Sequence, residues 1–195
     1  MEQAVKKNLD DKAEAGGKKT AKELAEAAAK KKGPPGKVVT RSLDDKVDDA
    51  IDAFDPSTAT STQKGNFGEM VTDRDMINNG YEALHSRLDD LDTPTHQGID
   101  GVFRHPGPPP RYVVVDAKYG QAGLNTLSDG TRQMSNPWIN DRLSNAVGGD
   151  RNILRDININ GYERVVAKVD DAGNIVYRRV DADGYIIRGN AGNWP

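Results

Sequence analysis

Hydrophobic residues recur at helical spacing in two stretches of the compact part of the chain. The first predicted helix covers residues 66–79 and is followed by Gly80, the residue type that most often ends a helix. The second covers residues 138–147 and stops at Gly148 and Gly149. The apolar positions that share a face are Phe67, Met70, Val71 and Ile77 in the first helix, and Ile139, Leu143, Ala146 and Val147 in the second.

Five shorter apolar stretches, rich in β-branched or aromatic residues and bounded by turn residues, predict β-strands. They cover residues 81–88, 98–103, 112–118, 163–169 and 175–180, and residues 185–188 are a candidate extension of the last. The Asp-Asp-Ala-Gly-Asn sequence between the final two strands is typical of a hairpin loop. The order of helix, strands, helix and strands predicts an α/β (α+β) fold with a central mixed β-sheet flanked by helices.

Residues 1–61 differ from this pattern and predict a helical leader or linker. Residues 18–32 favour a helix through Ala, Lys and Glu, but they offer little apolar surface to bury. A second short helix is predicted at residues 43–54, with an apolar face that would dock on the domain. We expect a flexible leader with one docking helix, or alternatively the remnant of a preceding delivery domain. The compact domain is predicted to span residues 62–195.

Charge is distributed unevenly along the chain. Residues 1–41 carry a net charge of +5, whereas residues 42–100 carry −10, and the whole chain carries −3. The chain has no cysteine, which excludes a disulfide scaffold and any thiolate metal site. No apolar run is long enough for a membrane span or a signal peptide, so we expect a soluble protein without a membrane anchor.

The strongest chemical signal lies between residues 98 and 119. Successive side chains of a strand alternate between its faces, so Asp116 and Lys118 are predicted to point the same way from the end of their strand. Asp100 precedes the neighbouring strand, and Glu69 lies on the first helix. We expect Asp100 and Asp116 to be the principal ligands of a divalent cation, with Glu69 completing or orienting the set. Lys118 would orient a water molecule or stabilise charge on a scissile phosphate.

Each of these residues also has a structural interpretation. The Asp-x-Lys pair could be an exposed ion pair of little consequence. Asp100 could initiate a turn with the glycine that follows it. Glu69 stands three residues after Asn66 and could complete a helix-capping arrangement. His96 and Gln97 are expected to be solvated loop residues rather than ligands.

Four sequence blocks resemble a known family in their order and spacing. GNFGEM, THQGIDGVF, YVVVDAKYG and RQMSNPWINDRL, which lie within residues 65–147, are similar to the nuclease domains at the C-terminal end of contact-dependent growth inhibition toxins (CdiA proteins). These domains belong to the PD-(D/E)XK superfamily. The resemblance implies a restriction-endonuclease-like fold and places Glu69, Asp100, Asp116 and Lys118 in the catalytic site. Gln133 is the implied supporting residue.

The resemblance also implies a biological role. A toxin of this kind is secreted or delivered from the surface of one bacterium, acts in the cytoplasm of its target cell, and is neutralised by a cognate immunity protein. In the branch this chain looks closest to, the implied reaction is cleavage of DNA with zinc, whereas other toxins of the same fold cut transfer RNA. The oxygen ligands themselves would also suit Mg²⁺ or Mn²⁺. A non-catalytic interaction module that keeps the fold, and a structural interaction protein in which Asp-x-Lys is incidental, remain alternatives.

The C-terminal strands carry two expectations about partners. Arg178 and Arg179 are either phosphate-contacting residues or ordinary solvated residues of a strand edge. The hairpin of residues 163–180 is a candidate contact for the immunity protein, because exposed strand edges invite pairing with another chain. Alternatively, the hairpin only completes the sheet. The basic residues that come after the predicted strand at residues 98–103 could form one positive wall. They are Arg104, Arg111, Arg132, Arg142, Arg151, Arg155, Arg164, Lys168, Arg178, Arg179 and Arg188.

Overall fold

The computed structural model describes residues 42–95, 97–107 and 111–194. The helix predicted at residues 18–32, His96 and part of the segment between the predicted strands at residues 98–103 and 112–118 lie outside the described residues. The predicted boundary between leader and domain at residue 62 lies within a described segment and stays a prediction.

A five-stranded mixed sheet with helices on both sides forms the fold, as the sequence predicts. The strands lie in the order β1-β2-β3-β4-β5, and every neighbouring pair is antiparallel except β3 and β4, which are parallel. The parallel pair requires a crossover, and α3 and α4 provide it. The elements are α1 (Leu43–Asp52), α2 (Ser61–Asn78), β1 (Glu82–Ala83), β2 (Gly101–His105), β3 (Arg111–Tyr119), α3 (Asn136–Ala146), α4 (Arg151–Asn160), β4 (Glu163–Val169) and β5 (Ile175–Arg179).

The sheet separates the hydrophobic core into two layers. Val102, Val114 and Val166 pack on one face against residues of α3 and α4 that include Trp138 and Ile157. Residues of the opposite parity face the other way. Phe103, Val113, Val115, Val165 and Ala167 pack with Met76 of α2, while Phe67 and Val71 of α2 pack with Val169. Among the described residues, no helix is both long and apolar enough to cross a membrane.

Helix α2 begins five residues earlier than the pattern predicts. Thr60 and Gln63 form a capping box, in which each side chain accepts a hydrogen bond from the backbone of the other residue. Asn66 therefore lies inside the helix, where its side chain donates to the carbonyls of Leu91 and Thr93. The interpretation of Asn66 and Glu69 as a cap is wrong, because the true cap is one and a half turns upstream.

Strand β1 is much shorter than the predicted strand at residues 81–88. Backbone pairing with β2 ends before His85, and the His85 side chain takes over. Its ring nitrogen Nδ1 accepts a hydrogen bond from the Val102 amide at 3.2 Å. The other ring nitrogen lies 3.1 Å from the buried carboxylate of Asp73. A side chain thus takes the place of the backbone partner, and the chain leaves the sheet.

Helix α4 is an element that the sequence analysis missed. Asp150 caps it by accepting from the amides of Asn152 and Ile153. Ile157 is fully buried, and Ile153 and Leu154 are partly buried against the same core. The aspartate cap and this apolar spacing could have indicated the helix, although six of its 10 residues are Arg, Asn or Asp.

The C-terminal hairpin forms as predicted, with β4 inside the sheet and β5 at its edge. Its loop packs against α2. Gly173 lies so near the Phe67 ring that a Cβ on this glycine would be 3.7 Å from it. The candidate extension at residues 185–188 makes one isolated bridge, between Val180 and Ile186, and no strand.

Candidate functional site

Asp100 lies beside Asp116 because β2 and β3 pair antiparallel with Gly101 opposite Val115. The Asp100 carboxylate accepts a hydrogen bond from the backbone N–H of Ala117 at 2.9 Å. Asp100 thus bridges the ends of the two strands, and its role is more than the initiation of a turn. The predicted convergence of acidic groups from neighbouring strands is confirmed for these two residues.

Lys118 reaches back to Asp116 on the same side of β3. Its Nζ atom lies 2.5 Å from Asp116 Oδ2, and the two side chains are 15% and 1% exposed. The pair is therefore a buried ion pair rather than the exposed one considered above. Within the described part of the chain, Asp116 Oδ1 is also buried and accepts no hydrogen bond. A buried carboxylate oxygen without a donor is costly, and it fits a position that is completed by a ligand.

Burial and mutual repulsion act on the protonation of the two aspartates. Burial, followed by the charges of Asp116 and Glu69, raises the pKa of Asp100 well above its ordinary value. Burial also raises the pKa of Asp116, although the nearby Lys118 opposes the change. A cation between these carboxylates would favour their ionised forms.

The pKa of the Lys118 ammonium is also raised, which favours its charged form. Burial alone would lower its pKa, but the carboxylates of Asp116 and Asp100 outweigh burial and raise it. Lys118 is consequently charged near neutral pH. It can donate hydrogen bonds to an anionic oxygen, whereas it is poorly suited to accept a proton.

Glu69 belongs to the same site although it lies on a helix. It is partly buried on α2, and its charge acts on Asp100, Asp116 and Lys118. This turn of the helix packs beside the end of β3, because a Cβ at Gly68 would lie at the ordinary contact distance of 3.7 Å from the Tyr119 nitrogen. The helix therefore brings the third predicted carboxylate to the strand ends.

A cleft of about 790 Å³ opens over these residues. Glu69, Asp100 and Lys118 lie along it, together with the predicted supporting residue Gln133. The side chain of Gln133 accepts a hydrogen bond from the Asn125 amide at 2.8 Å, so it fixes the loop that forms one wall. Gln97 also lines the cleft.

Lys168 is a neighbour of the site that the sequence analysis did not single out. It is the register partner of Lys118 in the parallel β3–β4 pair, and its ammonium donates to the carbonyl of Ala122 in the cleft wall. Burial, and then the charge of Lys118, lowers the pKa of Lys168. The parallel register of β3 and β4 places the two lysines side by side. This register is a tertiary feature, and no residue near Lys168 in the sequence predicts it.

Arg178 and Arg179 are not brought to the cleft. Arg179 is paired with Glu163, at 2.5 Å, and also donates to the Asn193 carbonyl. Arg178 donates to the Asn193 side chain and the Gly189 carbonyl. Nucleic-acid binding by these two residues stays a prediction, and the structure places them outside the lining of the cleft.

The chemistry of the carboxylates fits a hard divalent cation. Asp100 and Asp116 supply oxygen atoms from adjacent strands, and Asp116 Oδ1 lacks a hydrogen-bond donor in the described structure. Over residues 42–95, 97–107 and 111–194, no three His, Asp or Glu side chains are already gathered as a metal-binding group.

No family model, curated protein or solved structure matches this chain.

Proposed function

We propose that this chain is a metal-dependent endonuclease that hydrolyses phosphodiester bonds, with DNA as its substrate. The observation that carries the proposal is the convergence of Asp100, Asp116 and Lys118 at the end of two adjacent strands, beside Glu69 of α2. Buried carboxylates next to a charged lysine, at the base of an open cleft, are the groups that such hydrolysis requires.

The residues divide the work according to their positions. Asp100 and Asp116 would hold the cation, and Glu69 would complete or orient the set. A bound Mg²⁺, Mn²⁺ or Zn²⁺ supplies Lewis-acid polarisation of a phosphate oxygen and lowers the pKa of a coordinated water. Lys118, being charged, donates to the phosphate oxygen on which negative charge develops. Water adds to phosphorus, the bond from phosphorus to the sugar oxygen breaks, and that oxygen takes up a proton.

The biological proposal follows the sequence resemblance. The enzyme would act as a growth-inhibiting toxin of the CdiA type, secreted or delivered from the surface of the producer and active in the cytoplasm of a neighbouring bacterium. A cognate immunity protein would neutralise it. Transfer RNA is the alternative substrate, and a non-catalytic interaction module is the alternative function.

Strand β5 supports a contact with the immunity protein. It is the edge strand of the sheet, and Val176, its second residue, is 53% exposed. The end of the same edge is partly occupied, because Arg178 bridges to Asn193 and the Ile187 amide donates to the Arg179 carbonyl. An added strand from a partner would therefore pair with the first half of β5, near the hairpin loop.

Cleavage assays test the enzymatic proposal directly. The protein is incubated with supercoiled plasmid or with transfer RNA, each with Mg²⁺, Mn²⁺ or Zn²⁺. We expect the wild type to cut DNA with at least one cation. Asp116→Asn and Lys118→Ala should each lower the rate by about 10²-fold or more, since both remove charge from the reacting centre.

Arg155→Ala is the matched control, because Arg155 is a 67% exposed residue of α4 and does not line the cleft. Its cleavage rate should equal that of the wild type. Thermal melts must show that each variant is folded, and Asp116→Asn preserves the shape of the side chain for this reason. Undiminished cleavage by both site variants would refute the site, and absence of cleavage of either nucleic acid by folded wild type would refute the enzyme.

A further inference from the structure

Three cationic residues of the described chain line the cleft: Lys64, Lys118 and Arg142. Lys118 is paired with Asp116 and is already assigned to the scissile phosphate, which leaves Lys64 and Arg142 to meet the neighbouring phosphates. The two residues come from α2 and α3, helices that pack against opposite faces of the sheet. They therefore approach the cleft from opposite sides.

Lys64 presents its charge close to the catalytic strand. Its ammonium lies 5.9 Å from the ring centroid of Tyr119, the residue that follows Lys118. No carboxylate of the described residues forms an ion pair with Lys64. Its charge is thus available to a ligand in the cleft.

Arg142 is held in a fixed orientation. Its guanidinium lies 4.9 Å from the Trp138 ring centroid, and NH1 donates to the Trp138 carbonyl at 3.3 Å. The same nitrogen lies 3.0 Å from Asp141, but that carboxylate is 75% exposed, so the pair neutralises little of the charge. The arginine is 24% exposed and remains accessible from the cleft.

Arg142 also stands where the main cleft meets a second one. The second cleft has a volume of about 280 Å³ and runs past His85, Ser86 and Asn145. The two clefts share Gln97, Gly98, Asp100 and Arg142. The two clefts are therefore contiguous at Asp100 and Arg142.

We propose that Lys64 and Arg142 are the phosphate-contacting residues of the cleft and that the backbone of the nucleic acid runs between them. The scissile phosphate then lies over Asp116 and Lys118, and the strand continues past Arg142 into the second cleft. This inference rests on the proposed nuclease function and names the residues that hold its substrate. It replaces Arg178 and Arg179, whose polar groups are engaged elsewhere.

Binding can be measured without cleavage. Fluorescence anisotropy of a labelled DNA duplex, in EDTA and at a series of salt concentrations, gives the slope of log K against log[salt]. Each phosphate contact on duplex DNA contributes about 0.9 to the magnitude of that slope. Lys64→Ala and Arg142→Gln should each reduce the slope by about 0.9 and weaken binding at low salt.

Two other variants separate this proposal from the alternative that Arg178 and Arg179 contact the phosphates. Arg155→Gln removes an exposed helical arginine away from the cleft and should leave the slope unchanged. Arg178→Gln tests the residues indicated by sequence and should also leave the slope unchanged. An unaltered slope in Lys64→Ala, or a reduced slope in Arg178→Gln, overturns the proposal. Lys64→Ala decides the matter if melting shows that Arg142→Gln is unfolded.

The outcomes also separate this inference from the proposed function. A wild type that cuts DNA, with Lys64→Ala and Arg142→Gln keeping the wild-type slope, refutes only the inference. A wild type that neither binds nor cuts nucleic acid refutes both.

Discussion

The buried pair of Asp116 and Lys118 is hard to explain by stability alone. Taking two charges out of water costs several kcal/mol for each ion, and their attraction roughly compensates only when geometry is favourable. Asp116 Oδ1 gains no hydrogen bond from the described residues, which makes the balance worse. Apolar residues would stabilise this end of β3 at least as well, so the charges fit a site that acts on a ligand.

Glu163 takes part in a structural network of ion pairs and hydrogen bonds. It lies at the start of β4 and pairs with Arg111 of β3 at 2.6 Å and with Arg179 of β5 at 2.5 Å. The indole N–H of Trp194 donates to the same carboxylate. One residue thus connects three adjacent strands with the C-terminal segment.

Glu163→Gln should lower the free energy of unfolding at pH 7 by roughly 1–3 kcal/mol, because hydrogen bonds to a charged group are lost. Urea unfolding at pH 7 measures the change. Burial alone would raise the pKa of Glu163. The hydrogen bonds from Arg111, Trp194 and Arg179 outweigh burial and lower this pKa below its ordinary value. The unfolded state therefore binds the proton more readily, and the stabilisation is present above the ordinary pKa.

This contribution is lost as the pH falls through the lowered pKa of the folded state. The difference between wild type and Glu163→Gln should consequently shrink between pH 5 and pH 3. A difference that stays constant over this range would show that the carboxylate charge is not the source of the effect. Asp156→Asn, at an exposed position of α4, is the control and should change little.

Helix α1 is joined to the rest of the described structure by apolar and charged contacts. Just after the helix, Phe54 stacks on Phe67 of α2 with ring centroids 3.8 Å apart. Val47 within the helix is buried, while Asp44 pairs with Arg87 at 2.7 Å. The predicted docking face is confirmed, and it packs against α2 around Phe67.

Phe54→Ala should lower the free energy of unfolding by about 2 kcal/mol, somewhat less than for a fully buried phenylalanine. Urea unfolding again provides the measurement. Leu43→Ala is the matched control, since Leu43 lies on the same helix but is 39% exposed, and it should cost well under 1 kcal/mol. Equal effects of the two substitutions would show that α1 is not docked through Phe54.

At the scale of the whole molecule, the C-terminal segment supports the wall of the cleft. The Asn136 amide donates to the Ala182 carbonyl, and the Arg132 guanidinium lies 4.0 Å from the Tyr185 ring centroid. Between these contacts, Met134 is buried with a φ of 64°, a conformation that is strained for a residue with a side chain. Residues 181–185 therefore hold the backbone beside Gln133 in place.

Gly184→Ala should disturb this support. Gly184 has a φ of +82°, and a Cβ there would lie 2.5 Å from the Gln133 carbonyl oxygen. The alanine should cost about 1–2 kcal/mol for its backbone conformation and a further 1–3 kcal/mol for the close contact. By displacing Gln133, it should also slow cleavage by about tenfold or more, although it touches no carboxylate.

Gly130→Ala separates the two causes. Gly130 has a φ of +87°, but a Cβ there meets nothing within 4 Å. The Gly130→Ala substitution should lower the free energy of unfolding only by the cost of its backbone conformation. The cleavage rate should stay near that of the wild type. Comparison of thermal unfolding and plasmid cleavage for the two variants checks the prediction, and equal losses would refute the role of the contact.

The sequence by itself determined the mixed α+β architecture, strand β3, helix α3 and the C-terminal hairpin. It also placed Asp116 and Lys118 on one side of a strand, because alternation along a strand is a local property of the backbone. Glycines and turn residues marked the ends of these elements for the same local reason.

Only the tertiary structure decided the rest. The length of β1 depends on the His85 ring meeting the Val102 amide, the pairing of Lys118 with Lys168 depends on the parallel register, and the engagement of Arg179 depends on Glu163. These contacts join residues between 16 and 50 positions apart. Their formation follows from the packing of whole elements, which local hydrophobic spacing does not encode.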